Sequence, residues 1–391
     1  MHYKRLLTLI DGVSSYLSVG LDVGADFTWM SIALPNGSFV GKPFKIIHSD
    51  SRSRDLAVTK IKEAQETYSL KSRCFLESTG IYHIPLLCFL RDKGFDCSVI
   101  NPIITKNSTN INIRKLHNDK FDSKKAALVG LNVSLKTSIL PDDSVVDLRN
   151  LVRDYYYFKD LQSAVALKLT AELKVSFPAY AKTFSKVTTQ SSLKLLSSYP
   201  LPEDMLAASK DDIVYIIRST ARFGETYALR KYDAIIAAAQ DAAVFGRALP
   251  SNAVRIRLYI NSYQEYQKHL NTLLKALHET VDKLRDTLIY NQICLLQSLR
   301  GIGFLSAVVL IAEMGDFSFF SSPKKLYAYF GLDPAVKQSG KLNGDKVHMS
   351  KRGSSLARRV LHMVALNNVK VDKGSGTPVN PVVYDYYTRK C

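Results

Sequence analysis

The chain has no C-x-x-C pair, and its five cysteines (Cys74, Cys88, Cys97, Cys294 and Cys391) are odd in number. Both facts argue against a zinc site and against a disulfide framework. Three of the cysteines lie inside apolar runs, such as Cys88 in I-P-L-L-C-F-L, as buried free thiols of a reducing compartment would. Long hydrophobic runs are missing too. The longest, around Leu305 to Ala312, is too short to span a bilayer, and M-H-Y-K-R-L-L-T-L-I is interrupted too soon by Asp11 to read as a secretory leader. The expectation is a cytoplasmic protein with no membrane partner. Acidic residues are scarce beside basic ones, 35 against 53, which leaves a net charge of +18 and a pI near 9.5. A charge of that size repels itself unless a polyanion offsets it. Nucleic acid is the commonest such partner, and anionic lipid or an unspecialised basic surface are the blander alternatives.

Hydrophobic residues make up 46% of the chain, enough for real cores, and 391 residues suggest two or three domains. Residues 17–47 read as a three-stranded meander: Y-L-S-V-G-L-D-V-G, then F-T-W-M-S-I-A-L, the turn P-N-G-S, and F-V-G-K-P-F-K-I-I. A helix is expected over 53–69, a strand in S-R-C-F-L-E ending at Glu77, and a helix from Ile81 to Lys93 closed by Gly94. F-D-C-S-V-I is then a strand stopped by Asn101-Pro102, and Ser123 to Leu131 a further helix. That order predicts an α/β fold with a mixed sheet. Helical spacing covers 145–176, proline and serine punctuate 178–204, and an amphipathic segment runs from about 251 to 290. Its seam of Tyr266, Leu270, Leu273, Leu277, Val281 and Leu284 suits either a coiled coil between protomers or a helix packed within its own domain. From Leu295 a glycine turn leads into an apolar helix, and a proline-initiated helix ends at Gly331. The stretch from Pro323 to Cys391 holds 13 Lys and Arg against 4 Asp, half of the chain's excess charge.

Four acidic residues carry the chemistry. Asp22 lies inside the apolar strand L-D-V-G and Glu77 ends C-F-L-E-S-T-G, where a carboxylate must be paired, hydrogen-bonded or metal-bound. Asp119 and Asp122 are three apart in N-D-K-F-D-S-K-K-A-A and share one face if that stretch opens a helix. Four convergent carboxylates suit Mg²⁺ or Mn²⁺, and two such ions can clamp the attacking and leaving oxygens of a phosphoryl transfer. Taken singly, Asp22 also fits a strand-end turn, Glu77 a lysine partner, and either of the other two an N-cap. Their joint placement, on the first strand, on the fourth and at a helix start after the fifth, is the ribonuclease-H pattern of acid positions.

These motifs resemble those of insertion-sequence transposases of the IS110 type, related to the Piv/MooV DNA invertases. The resemblance rests on L-D-V-G, F-L-E-S-T-G and D-K-F-D-S-K-K-A-A, in which Ser123 stands where the family has alanine. It continues in G-I-G-F-L-S-A-V-V-L-I-A-E-M-G-D, F-G-L-D-P, Q-S-G and S-K-R-G-S-S-L-A-R-R-V-L, and spans roughly residues 17 to 370. It implies an N-terminal extension over 1–16, a RuvC-like domain over 17–150 carrying the Asp-Glu-Asp-Asp set, a helical coiled-coil region over 151–290, and a mainly α transposase domain over 291–391. The last domain carries a nucleophilic serine, which by position is Ser339. Without the resemblance Ser339 reads as an ordinary loop serine. Ser350, Ser354 and Ser355 compete with it, though helix capping explains them well.

Lys337 and Lys341 flank Ser339, and Lys351, Arg352, Arg358 and Arg359 follow on a helix. They are candidates for phosphate contact, against a merely solvated basic face. Tyr155-Tyr156-Tyr157-Phe158 with Lys159 suits base stacking or helix packing equally. The resemblance further implies an insertion-sequence recombinase acting on DNA, a structured guide RNA, a homodimer or homotetramer with composite active sites, and a prokaryotic, nucleoid-associated location. The rival readings are a Piv-like invertase, a RuvC-like Holliday-junction nuclease, and a non-catalytic nucleic-acid-binding relic.

Overall fold

The computed structural model describes residues 16–77, 81–100, 119–132, 143–220, 224–334, 338–339, 342–343 and 348–390. The expected extension over 1–16, apart from its last residue, lies outside them, as do Asn101-Pro102, Lys337 and Lys341. The chain is mixed α/β and 66% helical, with a five-stranded mixed sheet at the N-terminal end. It divides into two compact units, Met1–Leu140 and Pro141–Cys391.

The first unit is built on a five-stranded sheet of β1 (Tyr16–Val23), β2 (Phe27–Ala33), β3 (Phe39–Ile47), β4 (Lys71–Glu77) and β5 (Asp96–Ile100), with helices α1 (Ser51–Tyr68) and α2 (His83–Asp92) between the later strands. The strand order is β3-β2-β1-β4-β5. β1, β2 and β3 form the antiparallel meander, and β4 and β5 join parallel to β1. This is the element order that the hydrophobic patterning predicts.

Side chains alternate across a strand, and here the alternation divides labour. Leu17, Val19, Leu21 and Val23 of β1 join Cys74 and Leu76 of β4 on one face, under Ile61 of α1 and Leu87 and Leu90 of α2. Tyr16, Ser18, Gly20 and Asp22 fall in the opposite phase. So do Phe75 and Glu77 of β4, and Trp29, Ser31 and Ala33 of β2. That second face is covered by α3 (Asp119–Asn132), which buries Ala126 and Val129 on Phe75 and Ala127 on Ala33.

Small residues let α3 reach backbone contact with the sheet. A Cβ at Gly20 would lie 2.1 Å from the Ala127 nitrogen and 2.2 Å from the Ser123 oxygen, and one at Gly130 would lie 2.3 Å from the Phe75 ring. Hydrogen bonds fix the register along the helix. Tyr16 donates to the Gly130 carbonyl at 2.8 Å, Ser18 donates to the Ala127 carbonyl at 2.6 Å, and the hydroxyls of Ser31 and Ser123 meet at 2.8 Å. The helix therefore runs antiparallel to β1, and its first turn arrives where β1 ends.

The second unit is organised by two antiparallel 34-residue helices, α4 (Asp143–Ser176) and, after α5 (Gln190–Ser198), α6 (Pro202–Ala207), α7 (Lys210–Thr220) and α8 (Glu225–Phe245), the long α9 (Pro250–Lys283). Each is about 50 Å long at 1.5 Å per residue. At one end Leu169, Leu173, Ile256 and Ile260 enter a core with α5 to α8. At the other, Leu148, Val152, Leu277 and Val281 enter a second core with α10 (Leu288–Gln297), α11 (Phe304–Met314) and α13 (Ser355–Asn368), which follows α12 (Pro323–Tyr329). The heptad-like seam is thus occupied within the chain, where Leu270, Leu277 and Val281 are buried. α14 (Pro381–Lys390) closes the unit. Cys74 and Cys97 are buried register partners on β4 and β5, and with Cys88 and Cys294 they are free thiols. Among the described residues no helix is long and apolar enough to cross a membrane.

The close seating of α3 gives a direct test. Gly20→Ala forces a methyl group into backbone that cannot yield cheaply, and should destabilise the first unit by about 3 kcal/mol. Trp29 is the chain's single tryptophan, so urea unfolding followed by its fluorescence reads this unit directly. An unchanged midpoint would contradict the contact.

Candidate active site

Two neighbouring strands and one helix assemble the acidic residues. Leu21 of β1 is in register with Leu76 of β4, so Asp22 and Glu77 are the next residues along adjacent parallel strands, on the face that α3 covers. α3 opens at Asp119, four residues earlier than the expected Ser123, and both Asp119 and Asp122 fall in its first turn. Negative charge there is favoured by the unpaired N–H groups and the helix dipole.

The sequence-predicted acids are brought together electrostatically. The Asp22 carboxyl is pushed up to about 7, first by burial and then by repulsion from Asp122, Asp119 and Glu77, with Lys125 pulling the other way. Lys125 donates to Asp122 at 2.7 Å and lies 4.9 Å from the Phe121 ring centroid. Lys120 stands 4.7 Å over Trp29, the cross-strand partner of Asp22. Among the described residues no three acidic, histidine or cysteine side chains converge closely enough to hold one ion as they stand. The donor set nonetheless fits a hard divalent cation: four carboxylates, one of them desolvated and disfavoured by its neighbours' charge, in a site whose repulsion a cation would relieve.

The second predicted site lies in the C-terminal unit. Ser339 sits on a short strand, β6 (Gln338–Ser339), paired antiparallel with β7 (Leu342–Asn343). Below it Pro334 pairs with Met349, and the Ser350 and Lys351 amides donate to the carbonyls of Asp333 and Gly331 at 2.8 and 3.0 Å. Lys351 turns the chain there in a left-handed backbone, φ 55°. F-G-L-D-P and S-K-R-G are thus paired antiparallel on either side of the β6–β7 hairpin in sequence. The competing serines have structural partners: Ser350 donates to the Asp333 carboxylate, and Ser354 caps α13 by accepting from the Ala357 amide at 3.1 Å.

The four described basic candidates differ. Lys351 and Arg352 are exposed. Arg358 donates to the carbonyls of Phe330 and Gly353, at 3.0 and 2.7 Å, and Arg359 pairs with Asp160 at 2.8 Å over the Tyr156 ring. In the aromatic run Phe158 packs on Tyr266 and His269 of α9, while Tyr157 is exposed. Beneath the hairpin, burial pushes Glu313 up, but hydrogen bonds from Arg153 at 2.8 and 3.0 Å and its charge outweigh that and hold the carboxyl below its usual range. Tyr329 and Arg149 donate to the last carbonyls of α11, at 3.1 and 2.7 Å.

A family model for DEDD transposases of the IS110 type matches residues 19–178, and one for the transposase IS116/IS110/IS902 family matches 294–380. The chain thus carries two transposase family domains, one of the IS110 DEDD type and one of the IS116/IS110/IS902 type. The first match starts on β1 and runs through α3 to the end of α4, and the second includes the hairpin with Ser339. The helices between them, including the whole of α9, lie outside both. Among curated relatives, the 42 kDa protein of insertion element IS900 from Mycobacterium paratuberculosis is 24% identical over 279 residues, 69% of this chain and 65% of that protein. The protein y4qE of Sinorhizobium fredii, provisionally described as a transposase, is 35% identical over 69 residues, 18% of this chain and 17% of its own length. The chain therefore spans less than two thirds of either relative.

Sequence reasoning missed the partners that hold the acids of this transposase-family site. Asp122 and Lys125 at i and i+3 were readable as a helix pair in D-S-K-K. The Ser31–Ser123 contact joins residues 92 apart and had no local signal.

Because the Asp22 proton is bound more tightly in the folded chain (about 7) than at the ordinary value of 3.8, the folded state holds more protons than the unfolded state between those values. Metal-free protein should lose stability as pH rises through that window. Asp22→Asn should flatten the dependence. Denaturant midpoints in chelator across the window test this, and an equal slope in both proteins would remove Asp22 from the repelling cluster.

Proposed function

We propose that the chain is the transposase of an insertion sequence, a recombinase that cleaves and exchanges DNA strands in a divalent-metal-dependent reaction. The observation that carries this reading is the meeting of Asp22 with Glu77, Asp119 and Asp122 on one face of the sheet, within a DEDD transposase match. Mg²⁺ or Mn²⁺ bound by these residues would supply positive charge for the phosphoryl oxygens. Asp22 and Glu77 would contribute from strand ends and Asp119 and Asp122 from a helix pinned to the same sheet, so all four donors stand on regular elements.

Ser339 is the proposed nucleophile. Its hydroxyl attacks the scissile phosphorus, its proton passes to a base, and the departing sugar oxygen leaves as a free hydroxyl. Attack on the phosphoserine by the hydroxyl of another strand releases the serine and restores a phosphodiester, so the bond energy is kept through exchange. Lys337, Lys341, Lys351 and Arg352 surround this step in sequence and are assigned to phosphates. Arg358 and Arg359 join them only by leaving their present partners. A structured RNA from the same element is proposed as guide, and a homodimer or homotetramer as the assembly.

Ser339→Ala should abolish strand exchange and any serine-linked DNA while leaving nucleic-acid binding intact. Asp22→Asn should abolish metal-dependent cleavage. Trapping covalent protein–DNA adducts on element-end DNA tests both. Free cleaved ends without an adduct would instead favour a junction nuclease, and full recombination by the serine variant would remove Ser339 from the mechanism. Sequencing the RNA that copurifies with the full chain should return one discrete element-encoded species, and a random cellular mixture would reject the guide.

A further inference from the structure

We propose that Lys125 is a built-in counter-cation of the acidic cluster, which holds Asp122 until a divalent metal displaces it and so raises the metal concentration that the site requires. The inference rests on the metal-dependent reading above and concerns how that site loads.

Three observations support it. The Lys125 ammonium lies 2.7 Å from Asp122, with side-chain exposures of only 21% and 27%, so the pair is partly withdrawn from water, where a cation's hold on a carboxylate strengthens. Its charge also bears on Asp22, where it opposes the repulsion from the neighbouring carboxylates. Finally, no three acids converge on one point among the described residues, and one Asp122 carboxylate oxygen faces the ammonium. A metal ion on Asp122 would stand beside the ammonium and repel it, so the two cations compete electrostatically for that carboxylate. The i, i+3 spacing and the Phe121 ring keep the ammonium nearby after displacement.

A neighbouring lysine separates this from a general charge effect. Lys124, one residue away on the same helix, lies 5.0 Å over the Phe39 ring. Removing either lysine takes away one positive charge, but only Lys125 holds the carboxylate.

The test is calorimetric titration of Mn²⁺ alone into the full chain at low ionic strength, with circular dichroism as the check on folding. Lys125→Met and Lys125→Gln should lower the dissociation constant about three- to tenfold, in the range of a partly shielded ion pair. Lys125→Arg and Lys124→Met should stay near the unmodified chain. Equal or weaker binding by both neutral Lys125 variants would overturn the inference, as would an equal gain from Lys124→Met. Failure of the folded, unmodified chain to bind Mn²⁺, or binding undiminished by Asp22→Asn, would overturn the metal-site reading itself.

Discussion

Backbone contact between the 119–132 helix and the first strand is the constraint on which the N-terminal unit depends. The helix rests on Gly20 and brings its own Gly130 against Phe75 and Ser18, at distances that no Cβ could share. Three hydroxyl contacts, from Tyr16, Ser18 and the Ser31–Ser123 pair, then set its register. Because the helix is rigid and antiparallel to the strand, fixing its middle fixes its first turn. Asp119 and Asp122 are thereby carried to the strand end that bears Asp22 and Glu77. The serine at position 123, where the resembling family has alanine, is buried and answered by Ser31, so the departure is absorbed by a hydrogen bond rather than left as an unpaired buried hydroxyl.

The C-terminal unit depends on a different device. Two long helices run past one another, and each end of the pair belongs to a separate core. A polar link spans the interval, Gln162 with Gln267 at 2.9 Å, and Glu172 with Arg255 at 2.8 Å ties the pair at the first core. Glu313 is buried in the most apolar helix of the chain, and a buried charge of this kind is tolerated because Arg153 answers both of its oxygens. The two segments that flank Ser339 in sequence are tied to each other by Asp333 and Ser350.

Much of the acidic site was legible in sequence because each carboxylate sits on an element with a clear period. A β-branched run marks the strand of Asp22, an apolar run ending in Glu77 marks its neighbour, and the polar start before A-A-L-V marks the helix of Asp119 and Asp122. The helix boundary was less legible. Nothing in N-D-K-F-D decides by itself between a loop and a first turn, and packing on the sheet extends the helix back to Asp119. The basic helix was legible only by composition. Arg358 and Arg359 look like phosphate ligands by composition, yet guanidinium groups also satisfy stray carbonyls and carboxylates, and these two have taken Phe330, Gly353 and Asp160. The seam of the 250–283 helix carried the right spacing but no indication of its partner, which is the chain's own 143–176 helix.

The sequence by itself determined the element order, the mixed sheet, the elements that bear the four candidate acids and the excess of positive charge, since these follow from local periodicity and composition. Only the tertiary structure decided which face of the sheet those acids share, that Lys125 stands among them, and which arginines are already taken. Each of these is set by contacts between residues far apart in the chain, where the close approach of one backbone to another chooses the neighbours and local patterning carries no information about them.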